Sequence, residues 1–179
     1  KSSLALFLQA LLSNDSKIKK QAVEIAGFSK TANFTKLFLK KKWFIIKIIG
    51  SKEDPLESLV QTIDLTVKEN WIAKGIPSAL KTKTKPKIEN IIEKLKTLTE
   101  ELEKKNYALL VLADEMGKFL DYSSSVGSDL NLFQEIAENF SNLKLKKKGL
   151  PIFAGILHQP FEEYASNLGR SVQEDWQKV

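Results

Sequence analysis

Short apolar runs alternate along the chain with longer stretches in which apolar residues recur at helical spacing. Three runs rich in β-branched and aliphatic residues predict strands at 43–49, 107–113 and 151–157. Helical spacing predicts helices at 2–13, 17–26, 54–69, 87–105, 129–141, 161–168 and 172–178. The intervening chain at 28–42, 70–86 and 123–128 is predicted to be irregular or polar loop. Because strands alternate with helices, we expect an α/β protein with a parallel sheet.

The second predicted strand ends in two adjacent acids, Asp114 and Glu115. Four consecutive aliphatic residues precede them, Leu109 to Leu112, which suits a strand buried on both faces. Ligands of open α/β sheets bind at the carboxyl ends of strands. An Asp there can hold Mg²⁺ and a following Glu can polarise a water, as in the Walker B pattern of P-loop ATPases. The alternative is a strand that ends in an acid capping the next helix.

The first residues of the chain match the end of Walker A, the phosphate-binding motif that accompanies Walker B in P-loop ATPases. Lys1 and Ser2 fit the last two positions of Walker A, G-x-x-x-x-G-K-[ST], Ser3 is a further candidate for nucleotide binding, and a predicted helix follows. In that motif the Lys reaches the β- and γ-phosphates and the Ser hydroxyl binds Mg²⁺. We therefore expect a fragment that begins inside its own active site. The alternative is a chance start at one lysine of a lysine-rich chain.

The third predicted strand ends at His158 and Gln159, and His158 is the only histidine of the chain. Strand order would bring this end near Asp114 and Glu115, so His158 or Gln159 could sense the γ-phosphate or orient water. The alternative is a polar strand end in solvent. Lys118 could contact a phosphate, hold a neighbouring acid, or be a surface lysine.

Net charge alone could suggest nucleic acid, since it is +6 at neutral pH. The positive residues are almost all lysines, and Arg170 is the only arginine, whereas specific nucleic-acid sites favour arginine. Lysine clusters at 40–42 and 144–148 precede predicted strands, so we expect them opposite the site. Direct nucleic-acid contact thus has little support. Arg170 could instead act as a finger towards the nucleotide of a neighbouring subunit.

Other compositional features bear on compartment. The chain has no cysteine, which excludes disulfides and zinc–thiolate sites and agrees with a cytoplasmic protein. No run of about 18 apolar residues predicts a membrane span, so we expect no membrane partner.

Three blocks of sequence resemble a group of large prokaryotic ATP-binding proteins of the P-loop AAA/STAND type. These blocks are Leu112–Leu120, with the pattern DE-x-GKFL, Leu132–Glu138, and Leu157–Ala165, with the pattern LHQ-x-F-x-x-YA. The resemblance implies a three-layer αβα P-loop NTPase core with sheet order 5-1-4-3-2. Strands 2, 3 and 4 would be present, strands 1 and 5 would be missing, and residues 152–157 would form an unpaired edge.

The resemblance also implies roles for individual residues. Lys1 and Ser2 would bind phosphate and Mg²⁺, Asp114 would bind Mg²⁺, and Glu115 would activate water. His158 or Gln159 would sense the γ-phosphate. Several relatives belong to multi-gene systems such as phage defence, which is an association only.

Together these observations predict that residues 1–179 form one truncated P-loop ATPase domain with ATP and Mg²⁺ as cofactors. Hydrolysis would drive a conformational change in a larger protein, in a homo-oligomer or with a partner protein, and the fragment alone would be inactive. One alternative is a non-catalytic scaffold that binds a nucleotide or a partner in a multi-protein, defence-related system. Another is a receiver-like doubly wound fold.

Overall fold

The computed structural model describes residues 2–27, 41–70, 86–126, 131–159 and 163–164. Within these ranges the helices are α1 (Ser2–Leu11), α2 (Ser16–Ile25), α3 (Pro55–Glu69), α4 (Ile88–Lys104), α5 (Met116–Val126) and α6 (Leu132–Leu145). The strands are β1 (Lys42–Ile49), β2 (Tyr107–Asp114) and β3 (Pro151–Gly155). The predicted α/β class is confirmed.

The three strands form one parallel sheet in the order β1-β2-β3. Val111 of the central strand pairs with Ile46 of β1 and with Phe153 of β3. The predicted neighbour order of these strands is therefore confirmed. Among the described residues β3 is an edge strand, as expected, although it ends at Gly155 and not at Leu157.

Apolar side chains on the two faces of the sheet pack into two separate clusters. On one face, Phe44, Ile46, Ile48, Leu109 and Val111 pack against buried residues of α3, α4, α5 and α6. On the opposite face, Trp43, Ala108, Leu110 and Leu112 pack against Ala5 of α1 and against Leu12, which follows that helix directly. Successive residues of each strand point to opposite sides, so the sheet has two apolar faces. Helices cover both of them.

Asn14, three residues after the end of α1, ties this part of the chain to the first residues of β1. The side chain of Asn14 donates to the Trp43 carbonyl at 3.0 Å and accepts from the Trp43 N–H at 3.1 Å. Since Trp43 lies at the beginning of β1, α1 ends near the amino edge of the sheet. The chain just beyond α1 is therefore held at the amino edge of the sheet, and Ala5 of α1 packs on the face that carries Trp43.

One prediction of local structure was wrong, and one predicted helix has different bounds. The polar stretch at 123–128 was expected to be a loop, but Ser123 to Val126 continue α5. The hydroxyls of Ser124 and Ser125 donate to carbonyls three residues earlier, at 2.9 and 2.8 Å, so helical geometry satisfies them. The following helix begins at Leu132, not at 129, and extends to Leu145.

Several predictions fall on residues outside the described ranges. These are the irregular segments at 28–40 and 71–85, the helix at 172–178, Lys1 and Arg170. Of the helix predicted at 161–168, only 163–164 are described, and they are helical. Within the described ranges, no helix is long and apolar enough to cross a membrane.

Candidate active site at the carboxyl edge of the sheet

Backbone hydrogen bonds join the three strand ends at the carboxyl edge. The Gly50 N–H donates to the Asp114 carbonyl at 2.7 Å, and the Ile156 N–H donates to the Ala113 carbonyl at 2.8 Å. The Met116 N–H donates to the Ile156 carbonyl at 3.0 Å. The chain after β2 is therefore held from both sides, which gives the acids there a fixed position.

Asp114 is a buried carboxylate of which only one oxygen accepts a hydrogen bond from the described residues. It is 5% exposed and lies, by alternation along β2, on the face that α1 covers. Its Oδ1 accepts from the Glu115 N–H at 3.0 Å. Within the described part of the chain, Asp114 has no ion pair and its other oxygen accepts no hydrogen bond. Because buried charges are normally paired or bind cations, this carboxylate fits a metal ligand.

Glu115 turns the chain out of the sheet in a left-handed conformation, with φ of 54°. Gly50 makes room for this turn, since a Cβ there would collide with the Glu115 carbonyl oxygen. The Glu115 side chain, 28% exposed, forms an ion pair with Lys118. Its Oε1 lies 3.9 Å from His158 Nε2. The hydrogen bond and charge of Lys118, with a smaller contribution from His158, hold the pKa of Glu115 below its usual value.

Tyr164 attaches the end of β3 to the first turn of α5. Its hydroxyl accepts from the Gln159 N–H at 3.2 Å, and its ring contacts the position where Gly117 lacks a side chain. A side chain at residue 117 would displace the ring. The segment that carries His158 is thus fixed beside Glu115.

The structure brings together three of the residues predicted for the site, Asp114, Glu115 and His158, and Gln159 follows His158 in the chain with its backbone N–H bound to Tyr164. Ser2 begins α1, and the side chain of Ser3 is exposed. The ion pair of Lys118 with Glu115 selects one of the three roles considered for it, the holding of a neighbouring acid.

Sequence reasoning missed two residues that shape the site, Gly50 and Tyr164. Gly50 follows β1 directly, and a glycine at a strand end signals a close backbone approach. Tyr164 carries no comparable signal, because an aromatic in a short helical segment is usually a core residue.

Two described cavities lie on the same edge but not at the acids. One, of about 350 Å³, is lined by the first residues of α3, α4 and α6, including Asp54, Lys87 and Glu135. Another, of about 330 Å³, lies beside α3 and includes Lys52 and Tyr122. Within the part of the chain that the structure describes, no group of three or more His, Asp or Glu side chains forms a metal cluster. A metal at Asp114 would therefore depend on few protein ligands.

Comparison of the chain with protein-family models, with curated proteins and with solved structures gave no match.

Proposed function

We propose that this chain is part of a Mg²⁺-dependent ATP-hydrolysing domain of the P-loop class. The position of Asp114 carries the proposal: it ends the central parallel strand on the face covered by α1, the helix that begins at Ser2. In that class, a Lys-Ser pair at a helix start and an Asp at a neighbouring strand end hold phosphate and metal. Lys1, Ser2 and Asp114 supply these groups, with Ser3 beside them.

The residues present fit a magnesium ion. Asp114 offers a buried carboxylate oxygen that accepts no hydrogen bond from the described residues. Mg²⁺ is commonly held by one or two carboxylates while it keeps several waters, so a larger acidic cluster is not required. Asp114 and Ser2 would hold the ion, and when bound it neutralises phosphate charge.

In the proposed reaction, Glu115 orients the attacking water. Because Lys118 lowers its pKa, Glu115 is ionised at neutral pH and acts as a hydrogen-bond acceptor. The water oxygen bonds to the γ-phosphorus, the bond to the bridging oxygen breaks, and ADP leaves with that electron pair. The water proton ends on the inorganic phosphate. His158 or Gln159, on the adjacent strand end, contacts the γ-phosphate or the same water.

The test is ATP turnover by wild type and by Glu115→Gln, measured in the longer protein of which we propose this chain to be a part. We expect Glu115→Gln to bind Mg-ATP as wild type does and to lose about 100-fold or more in turnover. Glu53→Gln, an exposed acid on the same edge, serves as the control and should turn over normally. Equal turnover by wild type and Glu115→Gln would contradict the proposal.

A second candidate function is a scaffold that binds a nucleotide or a partner without turnover. The ion pair of Glu115 with Lys118 favours it, since a carboxylate with a lowered pKa is a weak proton acceptor. Isothermal titration of the same longer chain with Mg-ATP, combined with the turnover assay, separates the two. Binding without turnover supports a nucleotide-binding scaffold, and absence of binding supports a partner-binding one.

A further inference from the structure

Lysines from three separate segments converge at the amino edge of the sheet, opposite the candidate active site. Lys41 and Lys42 enter β1, Lys104 and Lys105 end α4 before β2, and the segment 144–148 ends α6 before β3. Parallel pairing brings these entries side by side, since Lys42 pairs with Tyr107 and Leu109 pairs with Pro151. We call this surface, which contains eight lysines, the basic edge.

The acids of the basic edge are already neutralised within it. Lys41 Nζ lies 2.8 Å from Glu103, Lys148 Nζ lies 3.1 Å from Glu100, and Lys104 pairs with Glu101.

Five further lysines of the basic edge remain after these three pairs: Lys42, Lys105, Lys144, Lys146 and Lys147. All five are exposed. Lys105 makes a further contact, so the surplus on this surface is counted from the other four, Lys42, Lys144, Lys146 and Lys147.

We propose that the basic edge binds the phosphodiester backbone of a nucleic acid without reading its sequence. Closely spaced lysines suit this role because they displace condensed counterions from phosphates, a favourable effect that is independent of bases. The described surface lacks the arginine forks that read base edges, so sequence preference is not expected. The proposal does not depend on the ATPase proposal, because it concerns the opposite edge of the sheet.

A nucleic acid fits this surface better than an anionic membrane does. Stable binding to a membrane generally needs apolar anchors in addition to charge. Leu145, 80% exposed, is the only strongly exposed large hydrophobic residue among the described residues of the basic edge. A single leucine does not form an apolar face that could insert into a bilayer. The surface therefore offers charge alone, which suits a phosphodiester chain better than a membrane.

The test compares two triple variants of equal net charge. The first, Lys144→Gln/Lys146→Gln/Lys147→Gln, changes basic-edge lysines that form no ion pair with described residues. The control, Lys52→Gln/Lys87→Gln/Lys96→Gln, changes exposed lysines elsewhere. Binding of a labelled mixed-sequence 20-mer, single-stranded and duplex, is measured by fluorescence anisotropy between about 50 and 200 mM salt, a range in which phosphate contacts show their salt dependence.

We expect the basic-edge variant to lose about tenfold or more in affinity and its salt slope to fall by about two to three. The control should stay near wild type, and circular dichroism should show both variants folded. Equal losses in both triple variants would overturn the proposal, because net charge alone would then explain binding. Absence of wild-type binding would also overturn it, as would retention by phosphatidylserine vesicles in preference to the 20-mer.

Discussion

The hydroxyl of Tyr164 accepts a hydrogen bond from the backbone N–H of Gln159, with 3.2 Å between the two atoms. Tyr164 is 6% exposed and belongs to the core cluster on the face of the sheet covered by α3 to α6. A residue at the far end of the described chain thus fixes the strand end that carries His158. The position of His158 beside Glu115 depends on this contact.

Tyr164→Phe should destabilise the segment after β3 locally without leaving a cavity in the core. The ring stays and the hydrogen bond is lost, which costs about 1 kcal/mol. The measurement is amide hydrogen exchange, and Gln159 should exchange faster than in wild type. Tyr122→Phe is the control, since the Tyr122 hydroxyl has no hydrogen bond to the described residues. Unchanged protection of Gln159 in Tyr164→Phe would show that the hydroxyl is not needed.

Gly50→Ala should destabilise the chain by about 1 to 3 kcal/mol, the usual cost of forcing extra atoms into a packed site. The added methyl meets the Glu115 carbonyl, and relief requires movement of the turn that carries both acids. Urea denaturation measures the free energy of unfolding. Ser51→Ala, at the next position, should change it little, and similar values for both variants would argue against a tight approach at Gly50.

Lys118→Met should raise the pKa of Glu115 towards its ordinary value, as followed by carboxyl-carbon NMR during a pH titration. A lowered pKa in the folded state means that the interaction stabilises the fold above the unfolded pKa and is lost as pH falls through the folded pKa. Wild type should therefore exceed Lys118→Met in stability at pH 6, and the difference should shrink below the ordinary value of 4.5. Lys96→Met, on an exposed helix face, is the control.

Lys94 and Asp64 form an ion pair between α4 and α3, with side-chain exposures of 5% and 10%. Asp64→Ala should cost about 3 to 5 kcal/mol, because it leaves a buried ammonium group without its partner. The double variant Asp64→Leu/Lys94→Met should recover most of this loss, since it removes both buried charges. Denaturant unfolding at pH 7 measures both, and a double variant as unstable as Asp64→Ala would contradict this account.

The burial of Lys94 also predicts that the free energy of unfolding depends on pH. Burial lowers the pKa of Lys94 from 10.5 to about 8. Between these values the unfolded chain binds the extra proton, so this group makes stability rise with pH, by on the order of 1 kcal/mol per pH unit. Wild type should gain stability relative to Lys94→Met from pH 8 to pH 10. A constant difference across this range would contradict the lowered pKa.

Much of the fold could be predicted from the sequence because it follows from local patterns. The β-branched and aliphatic runs of β1 and β2 and the apolar stripe of α4 each carry their own signal. The helical serines at 124 and 125 could not be predicted, since their carbonyl partners exist only once the helix has formed.

The candidate site was predictable in part. The acids at 114 and 115 and the polar pair at 158 and 159 lie at strand ends, and parallel topology brings such ends together. The contact of Tyr164 with Gly117 and the approach of Gly50 to Glu115 arise from tertiary packing. No spacing rule in the sequence encodes these contacts.

The left-handed backbone at Glu115 disfavours a side chain, whereas the proposed reaction requires a carboxylate at the same residue. A non-glycine residue with φ of 54° costs about 1 kcal/mol that glycine would not. Glu115→Gly should therefore be more stable to urea than Glu115→Gln, since both lack the carboxylate and only glycine relieves the strain. Stability therefore favours glycine over a neutral side chain at this position, and the carboxylate that the proposed reaction needs is stabilised there by its ion pair with Lys118.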